Sequence, residues 1–151
     1  MIFLRWPYGA QIMPKSTSTS ALSKQDFEAL SEFRYQLRKF LRFSEEAAQN
    51  EGVTPQQYLL LLHVKGVAGR DWANIGELAE RLQSQHHSVV ALVSRCEKLQ
   101  LIERRTSEID RRQVNIHLLP AGERCLAKLA ALHRNELASL SGTFRVPTIN
   151  S

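Results

Sequence analysis

The architecture of this chain follows from one stretch, residues 74–118, whose sequence is NIGELAERLQSQHHSVVALVSRCEKLQLIERRTSEIDRRQVNIHL. Its first helix begins at a cap, Asn74, and Glu77 three residues further on is the second half of a capping box. After a break of a few residues, a second helical pattern begins at Ser84. The apolar residues of this second helix share one face, and they are Val89, Leu92, Val93 and Cys96. Two short helices joined by a tight connection indicate a helix-turn-helix.

The residues that follow the second helix change from a helical to an extended period. Residues 101–105 and the alternating residues 114–118 each predict a short strand, and the polar residues 106–110 between them predict a turn. A helix-turn-helix followed by such a hairpin is a winged helix-turn-helix. We therefore predict a mainly α fold with a small β-hairpin. In such a fold the second helix can face the major groove of DNA, while the wing can reach phosphates or the minor groove.

Three further helices surround this unit. Ser23, followed by Asp26, predicts the start of a long amphipathic helix that ends at residues 49–52. Another helix, which precedes the helix pair, begins after Thr54, whose hydroxyl can form a capping box with Gln57. The last helix begins at Pro120, because proline is favoured at the first helical position.

The composition is typical of a basic globular protein, but it does not identify the binding partner. The chain has 151 residues, 43% of them hydrophobic, which suits one globular domain with a real core. Its net charge of +5 and sequence pI of about 9.6 suit nucleic-acid binding, although a solvated basic surface has the same composition. We recognise no signal peptide and no apolar run of the roughly 18 residues that would span a bilayer, so we expect a cytoplasmic protein without a membrane partner.

Motifs of catalysis and of metal binding are absent from the sequence. It contains no phosphate-binding glycine loop, nucleophile elbow or carboxylate pair, so we expect neither an enzyme nor a cofactor. Its five histidines lack the Cys/His spacing of a structural zinc site, so we expect no metal.

The second helix of the pair, residues 84–99, carries the predicted recognition surface. On a helical wheel, the face opposite Val89 points away from the core. The histidines and the serine of the first turn could meet base edges, Ala91 could touch a thymine methyl group, and Arg95 could hold a phosphate. The alternative is an ordinary polar face with two exposed histidines. The predicted DNA contacts are Ser84, Gln85, His86, His87, Ser88, Val90, Ala91, Ser94 and Arg95.

The predicted wing is rich in arginine. Four arginines within nine residues repel one another, and a nearby polyanion relieves that repulsion. An aspartate beside them can form an ion pair with a neighbouring guanidinium and so orient it. The alternative is a solvated turn with a local salt bridge. The predicted wing contacts are Arg104, Arg105, Asp110, Arg111 and Arg112.

These pieces, in this order, resemble the multiple-antibiotic-resistance regulator (MarR) family over residues 23–141. No single piece is specific, but the ordered set is, and the sequence around Asp110 is its most specific member. The matching pieces are Thr54-Pro55-Gln56, Ile75-Gly76-Glu77-Leu78-Ala79, Leu92-Val93-Ser94-Arg95 with Glu97, Leu101-Ile102-Glu103-Arg104, Asp110-Arg111-Arg112, and Gly122 after the last strand.

The resemblance implies a function and a domain organisation. It implies a homodimeric transcriptional regulator that binds a pseudo-palindromic site in double-stranded DNA, with Arg112 and Arg111 at the minor groove. Many members of the family are repressors released by a small-molecule effector or an oxidant. Residues 21–53 and 120–151 would form the dimerisation helices and residues 54–119 the DNA-binding lobe. Residues 1–20, which end in a polar tract, are predicted to be a flexible tail.

Several residues depart from the family pattern. Cys96 stands where the family prefers leucine, and Gln100 stands where it prefers glycine. If the left-handed turn is kept there, the absence of glycine lowers the stability by up to about 1 kcal/mol. Leu119 replaces the usual threonine cap of the last helix. Redox sensing is an alternative. The position of Cys96 on a core face argues against it, whereas Cys125 could meet its symmetry mate. The alternative function is a winged-helix protein-docking module without specific DNA binding.

Overall fold

Five helices and three short strands follow one another in the part of the chain that the computed structural model describes, residues 21–142 and 144–148. The predicted tail, residues 1–20, and the last residues of the predicted dimerisation region lie outside these ranges. The elements are α1 (Lys24–Asn50), α2 (Pro55–Lys65), β1 (Trp72–Asn74), α3 (Ile75–Arg81), α4 (His86–Lys98), β2 (Ile102–Thr106), β3 (Val114–Leu118) and α5 (Pro120–Ser139). This order confirms the predicted mainly α, winged helix-turn-helix fold. Within these ranges, no helix is long and apolar enough to cross a membrane.

Three of the helices begin at the residues where the sequence predicts caps. In each case the side chain of the cap accepts the backbone N–H of the third helical residue, whose own side chain accepts the N–H of the cap. These reciprocal bonds satisfy donors that a helix start would otherwise leave unpaired. The three pairs are Ser23 with Asp26, Thr54 with Gln57, and Asn74 with Glu77.

The wing is part of a three-stranded antiparallel sheet in the order β1-β3-β2. The sequence predicts only the hairpin of β2 and β3, and it misses β1. This strand has three residues, too few for an alternating pattern, and its pairing comes from distant residues: Trp72 lies opposite His117 and Ala73 opposite Ile116. The Arg70 guanidinium, which lies 3.9 Å from the centre of the Trp72 ring, braces the strand from outside.

Helix α4 starts two residues later than the sequence predicts. Gln83 adopts a left-handed conformation with a φ of 49°, and the Ser84 N–H then donates to the Ala79 carbonyl to close the end of α3. Gln85 is the extended residue before α4, and its side chain makes no capping bond. Ser84 and Gln85 therefore belong to the turn of the helix-turn-helix rather than to its second helix.

The end of α4 repeats the same turn. Gln100 has a φ of 56°, its N–H donates to the Glu97 carbonyl, and the Leu101 N–H donates to the Cys96 carbonyl. This pair of bonds is a Schellman motif, in which the left-handed position is usually glycine. The left-handed turn is therefore kept although the glycine that the family prefers at this position is missing.

One apolar core receives side chains from the predicted DNA-binding lobe, residues 54–119, and from both long helices, namely Ala47 and Ala48 of α1 and Leu126 and Leu129 of α5. The predicted core face of α4 is confirmed, since all four of its apolar residues are buried. The start of α5 packs closely against the end of α4, because Gly122 lies against the Leu101 carbonyl. The same carbonyl accepts the N–H of Leu119, the residue before α5, whose side chain makes no capping bond. The largest fully buried side chains include Leu60, Leu61, Leu78, Ile102, Ile116 and Leu129.

A buried histidine joins the long helices to the lobe. His133 of α5 has one ring nitrogen, Nδ1, 2.6 Å from the Leu129 carbonyl, which can only accept, so Nδ1 donates. In the neutral ring, the other nitrogen, Nε2, then accepts the Ser44 hydroxyl at 2.8 Å. The ring also stacks on Tyr58 of α2 at 4.8 Å between centroids. One side chain thus links α1, α2 and α5.

Candidate nucleic-acid interface

The outward face of α4 presents the surface that the sequence predicts. Its first turn carries His86, His87 and Ser88, all exposed, and Val90, Ala91 and Arg95 continue the exposed face. The helix can present this face because its other side is anchored in the core. The predicted role of these residues in DNA contact stays a prediction, as it does for Ser84 and Gln85 in the preceding turn.

Ser94 differs from its neighbours on this face. Its side chain is half-buried, its hydroxyl donates to the Val90 carbonyl at 3.0 Å, and the same oxygen accepts an Arg104 guanidinium N–H at 2.8 Å. The hydroxyl proton and one lone pair are therefore already used within the lobe.

Two of the four wing arginines are engaged by carboxylates. Arg104 lies in β2, and its guanidinium forms an ion pair with Glu97 of α4. Arg105, the next residue, forms an ion pair with Glu103 of the same strand. The mutual repulsion expected among the four arginines is thus reduced within the protein.

The other two arginines lie at the tip of the wing. Arg111 and Arg112 are exposed, and no ion pair of the described residues includes either of them. Together with Arg95 and Lys98 on α4, which are also exposed and outside these ion pairs, they are the cations of this surface that are most readily available to an anionic partner. This geometry suits phosphate contacts or entry of a side chain into a minor groove.

The expected ion pair of Asp110 with a neighbouring arginine is absent from the described part of the chain. Its carboxylate instead accepts the backbone N–H of Arg112 at 3.0 Å, which makes an Asx turn, and its carbonyl accepts the Gln113 N–H at 2.9 Å. The carboxylate reaches the backbone N–H two residues away without having to order a long arginine side chain. This local hydrogen bond is therefore favoured over the ion pair. Asp110 therefore shapes the tip and leaves both guanidinium groups free of it.

Ser107 is a structural residue of the wing that the sequence reasoning missed. It is buried, and its hydroxyl lies 3.3 Å from the backbone nitrogens of Ile109 and Asp110, whose N–H groups donate to it. A serine in a polar segment is a general turn signal. Its burial, however, depends on how the hairpin folds back and leaves no signal in the sequence.

The two cysteines are poorly suited to redox chemistry. Burial raises the pKa of the Cys96 thiol to about 11, despite the opposing effect of Arg95. Burial, with help from Glu51, also raises the pKa of Cys125, which is half-buried. Since the thiolate is the reactive form, both residues are expected to react slowly. Within the described ranges no three His, Cys, Asp or Glu side chains are grouped to hold a metal ion.

A helix pair, an exposed second helix and a basic wing define a winged helix-turn-helix protein. Comparison with known families agrees with this geometry, because residues 51–113 match the model described as the MarR family. The match covers less than half of the chain, and it confirms the resemblance to this family that was found in the sequence.

The relatives extend this assignment. A Thauera aromatica protein, described as a transcriptional regulatory protein for the hcr operon, is 32% identical over 96 residues, which make up 64% of this chain and 56% of that protein. The chain thus spans little more than half of this relative. A solved MarR family transcription regulator is 27% identical, with a TM-score of 0.68 over 80% of this chain and 78% of its own. These relatives are described as regulators, which agrees with the expectation of a protein that is not an enzyme.

Solved structures of the same fold include complexes with DNA. The S. aureus MepR–DNA complex has a TM-score of 0.57 to this chain and covers 72% of it and 87% of the MepR chain. The two sequences are 19% identical, so the likeness concerns the fold alone.

Proposed function

We propose that this chain is a sequence-specific DNA-binding transcriptional regulator that acts as a homodimer, as a repressor, in response to a small ligand. The single observation that carries DNA binding is the outward face of α4, with exposed polar groups in its first turn, beside a wing tip whose Arg111 and Arg112 are not neutralised. A helix fits the major groove, and flanking cations position it by holding phosphates. Support also comes from the relatives described as regulators and from the DNA complex of MepR.

The proposed dimer is supported by apolar surface outside the lobe. In α1, Phe27 and Leu41 are 55% and 47% exposed, and Leu137 of α5 is 55% exposed. Exposed apolar side chains on these long helices provide surface that association with a second copy would bury. A symmetric dimer presents two identical lobes, and it would therefore recognise two inverted half-sites about one helical turn apart. The repressor role and the ligand response are supported by the family resemblance.

The first experiment is an unbiased selection of bound duplexes from a random DNA pool at physiological salt. A pseudo-palindrome is the expected result. The absence of any motif, with binding that disappears as salt rises, would contradict the proposal and favour the protein-docking module. Sedimentation of the free protein tests the dimer, and a reporter gene placed after the selected site distinguishes repression from activation. Compounds that raise the output of that reporter would reveal the ligand.

Arg112→Ala tests the wing on the selected site. Each phosphate contact contributes about 0.9 to the slope of log affinity against log salt, so removal of two symmetric contacts should lower that slope by about 1.8. Arg105→Ala removes the same charge from a residue already paired with Glu103, and it should change the slope less. His87→Ala should alter the selected sequence more than the salt slope. An unchanged slope in Arg112→Ala would mean that the wing tip does not contact DNA.

A further inference from the structure

Arg104 contacts α4, the proposed recognition helix, at more points than a single ion pair on the surface would provide. Its Nη1 forms the ion pair with Glu97, and its Nη2 donates to the Ser94 hydroxyl at 2.8 Å and approaches the Val90 carbonyl at 3.4 Å. Its backbone N–H lies 3.3 Å from the other carboxylate oxygen of Glu97. One residue of strand β2 thus holds three successive turns of one side of α4.

The chemistry of the side chain suits this arrangement. A guanidinium is a rigid planar fork with five N–H donors, so it can meet a carboxylate and a hydroxyl at once without bending. The pair is about one third exposed on each side, at 32% for Arg104 and 36% for Glu97, so its net attraction is weaker than in a dry interior. Its geometric effect remains, because the four contacts fix the direction as well as the distance between strand and helix.

The available donors argue against Arg104 as a DNA contact. Both of its terminal nitrogens are already directed at α4, whereas Arg111 and Arg112 carry the same charge without a carboxylate partner. To reach a phosphate, Arg104 would have to leave Glu97 as an unpaired carboxylate beside a polyanion. The wing tip can supply phosphate contacts without that cost.

We propose that Arg104 is a positioning residue, which with Glu97 and Ser94 forms a brace that sets the angle between the wing and the recognition helix. The proposal rests on the proposed function, since the angle matters only if α4 and the wing contact one duplex together. Base-edge contacts require placement to a fraction of an ångström, whereas phosphate attraction tolerates a change in angle. The brace therefore acts on sequence preference more than on bulk affinity.

The test compares affinity for the selected site with affinity for random DNA in four variants. Arg104→Met and Glu97→Ala each break the brace, and the double variant removes both ends of this same interaction. Arg105→Met is the matched control, because it removes the same charge from the adjacent residue. We expect each brace variant to lose about tenfold of the ratio between specific and random binding, the effect of one charge-assisted hydrogen bond. The double variant should lose no more of the ratio than either single one, and Arg105→Met should lose clearly less of it than Arg104→Met.

A direct phosphate contact gives the opposite signs. Glu97→Ala would then release Arg104 toward the DNA, and specific binding would stay equal or become tighter. Arg104→Met alone would lower the salt slope by about 1 for each protomer. Arg104→Lys separates the two ideas further, because lysine keeps the charge for a phosphate but cannot bridge Glu97 and Ser94. Retention of the ratio in Arg104→Lys would overturn the brace.

A measurement without DNA keeps the two proposals distinct. If the wild-type protein selects no motif, the proposed function fails, and amide exchange of the free protein still tests the brace. We expect faster exchange at the Arg104 N–H and in the hairpin of Glu97→Ala than in Glu103→Ala, which breaks only a pair within the strand. Equal exchange in the two variants would show that no brace exists. Circular dichroism and the unfolding midpoint of each variant establish that the fold is kept.

Discussion

Replacement of Gly122 by alanine should destabilise this protein, although alanine is normally the better helix former. Gly122 lies in the first turn of α5, where an added Cβ would stand 2.1 Å from the Leu101 carbonyl oxygen and 3.3 Å from Leu118 Cδ2. Carbon and oxygen approach to about 3.3 Å at closest in ordinary contacts. The oxygen would have to move by about 1 Å, but it is held in place by the Leu119 N–H at 2.9 Å.

The size of the effect follows from two opposing contributions. Overpacking against a fixed atom costs about 1–3 kcal/mol, and the backbone oxygen places this case at the upper end. Alanine recovers about 0.8–1.0 kcal/mol of helix propensity relative to glycine. The net loss is about 2 kcal/mol, and at about 2–4 °C per kcal/mol for a chain of this size the unfolding midpoint should fall by about 4–8 °C.

Thermal unfolding followed by circular dichroism, at one protein concentration, measures this difference. Gly76→Ala is the matched control, because it also adds a methyl group to a helix, but its nearest neighbour is the Asn74 Oδ1 at 3.3 Å, which has to shift by only a few tenths of an ångström. Its midpoint should change much less than that of Gly122→Ala. A Gly122→Ala midpoint equal to or above that of the wild type would show that α5 does not approach Leu101 as closely as described.

Three further outcomes are expected. Gln100→Gly should raise the free energy of unfolding by up to about 1 kcal/mol in a urea titration, because the left-handed φ of 56° strains a side chain; a loss of stability would refute that origin of strain. Burial and the charge of Arg81 lower the pKa of His63, so the stability associated with its neutral ring is complete above about pH 6.5 and declines as the pH falls through the folded value. His63→Gln should flatten the pH dependence of the midpoint in that window, and an unchanged slope would contradict this assignment. An aromatic disulfide reagent should modify Cys125 before Cys96 in the native protein, since Cys96 is fully buried; rapid modification of Cys96 in Cys125→Ser would reverse that conclusion.

Local sequence signals predicted the helices well. The caps at Ser23, Thr54 and Asn74 each require only a partner three residues away, so the sequence alone contains both halves of the interaction. Strand β1 could not be predicted in the same way, because three residues form a strand only where β3 passes beside them. The sequence predicts the start of α4 two residues too early, because Ser84 is a favoured cap residue and the left-handed conformation of Gln83 before it has no recognisable signal.

The candidate site shows the same division between local and distant interactions. The exposed face of α4 follows from helical periodicity, and the exposed arginines at the wing tip follow from the polar turn. The distinction between Arg104 and Arg112 does not follow from sequence, because it depends on which strand crosses α4. Glu97 lies seven residues from Arg104, and only the folded hairpin brings the two together.

The position of β2 in the sheet has a consequence for solubility. In the order β1-β3-β2 this strand is at an edge, and an edge strand has backbone donors and acceptors that a strand from another molecule can pair with. Three consecutive residues of β2, Glu103, Arg104 and Arg105, are charged, and such residues discourage that pairing. Replacement of all three by apolar β-branched residues, for instance to remove charge from the wing, would therefore leave an edge strand prone to pair with other molecules. A loss of DNA binding in such a variant would have to be distinguished from aggregation.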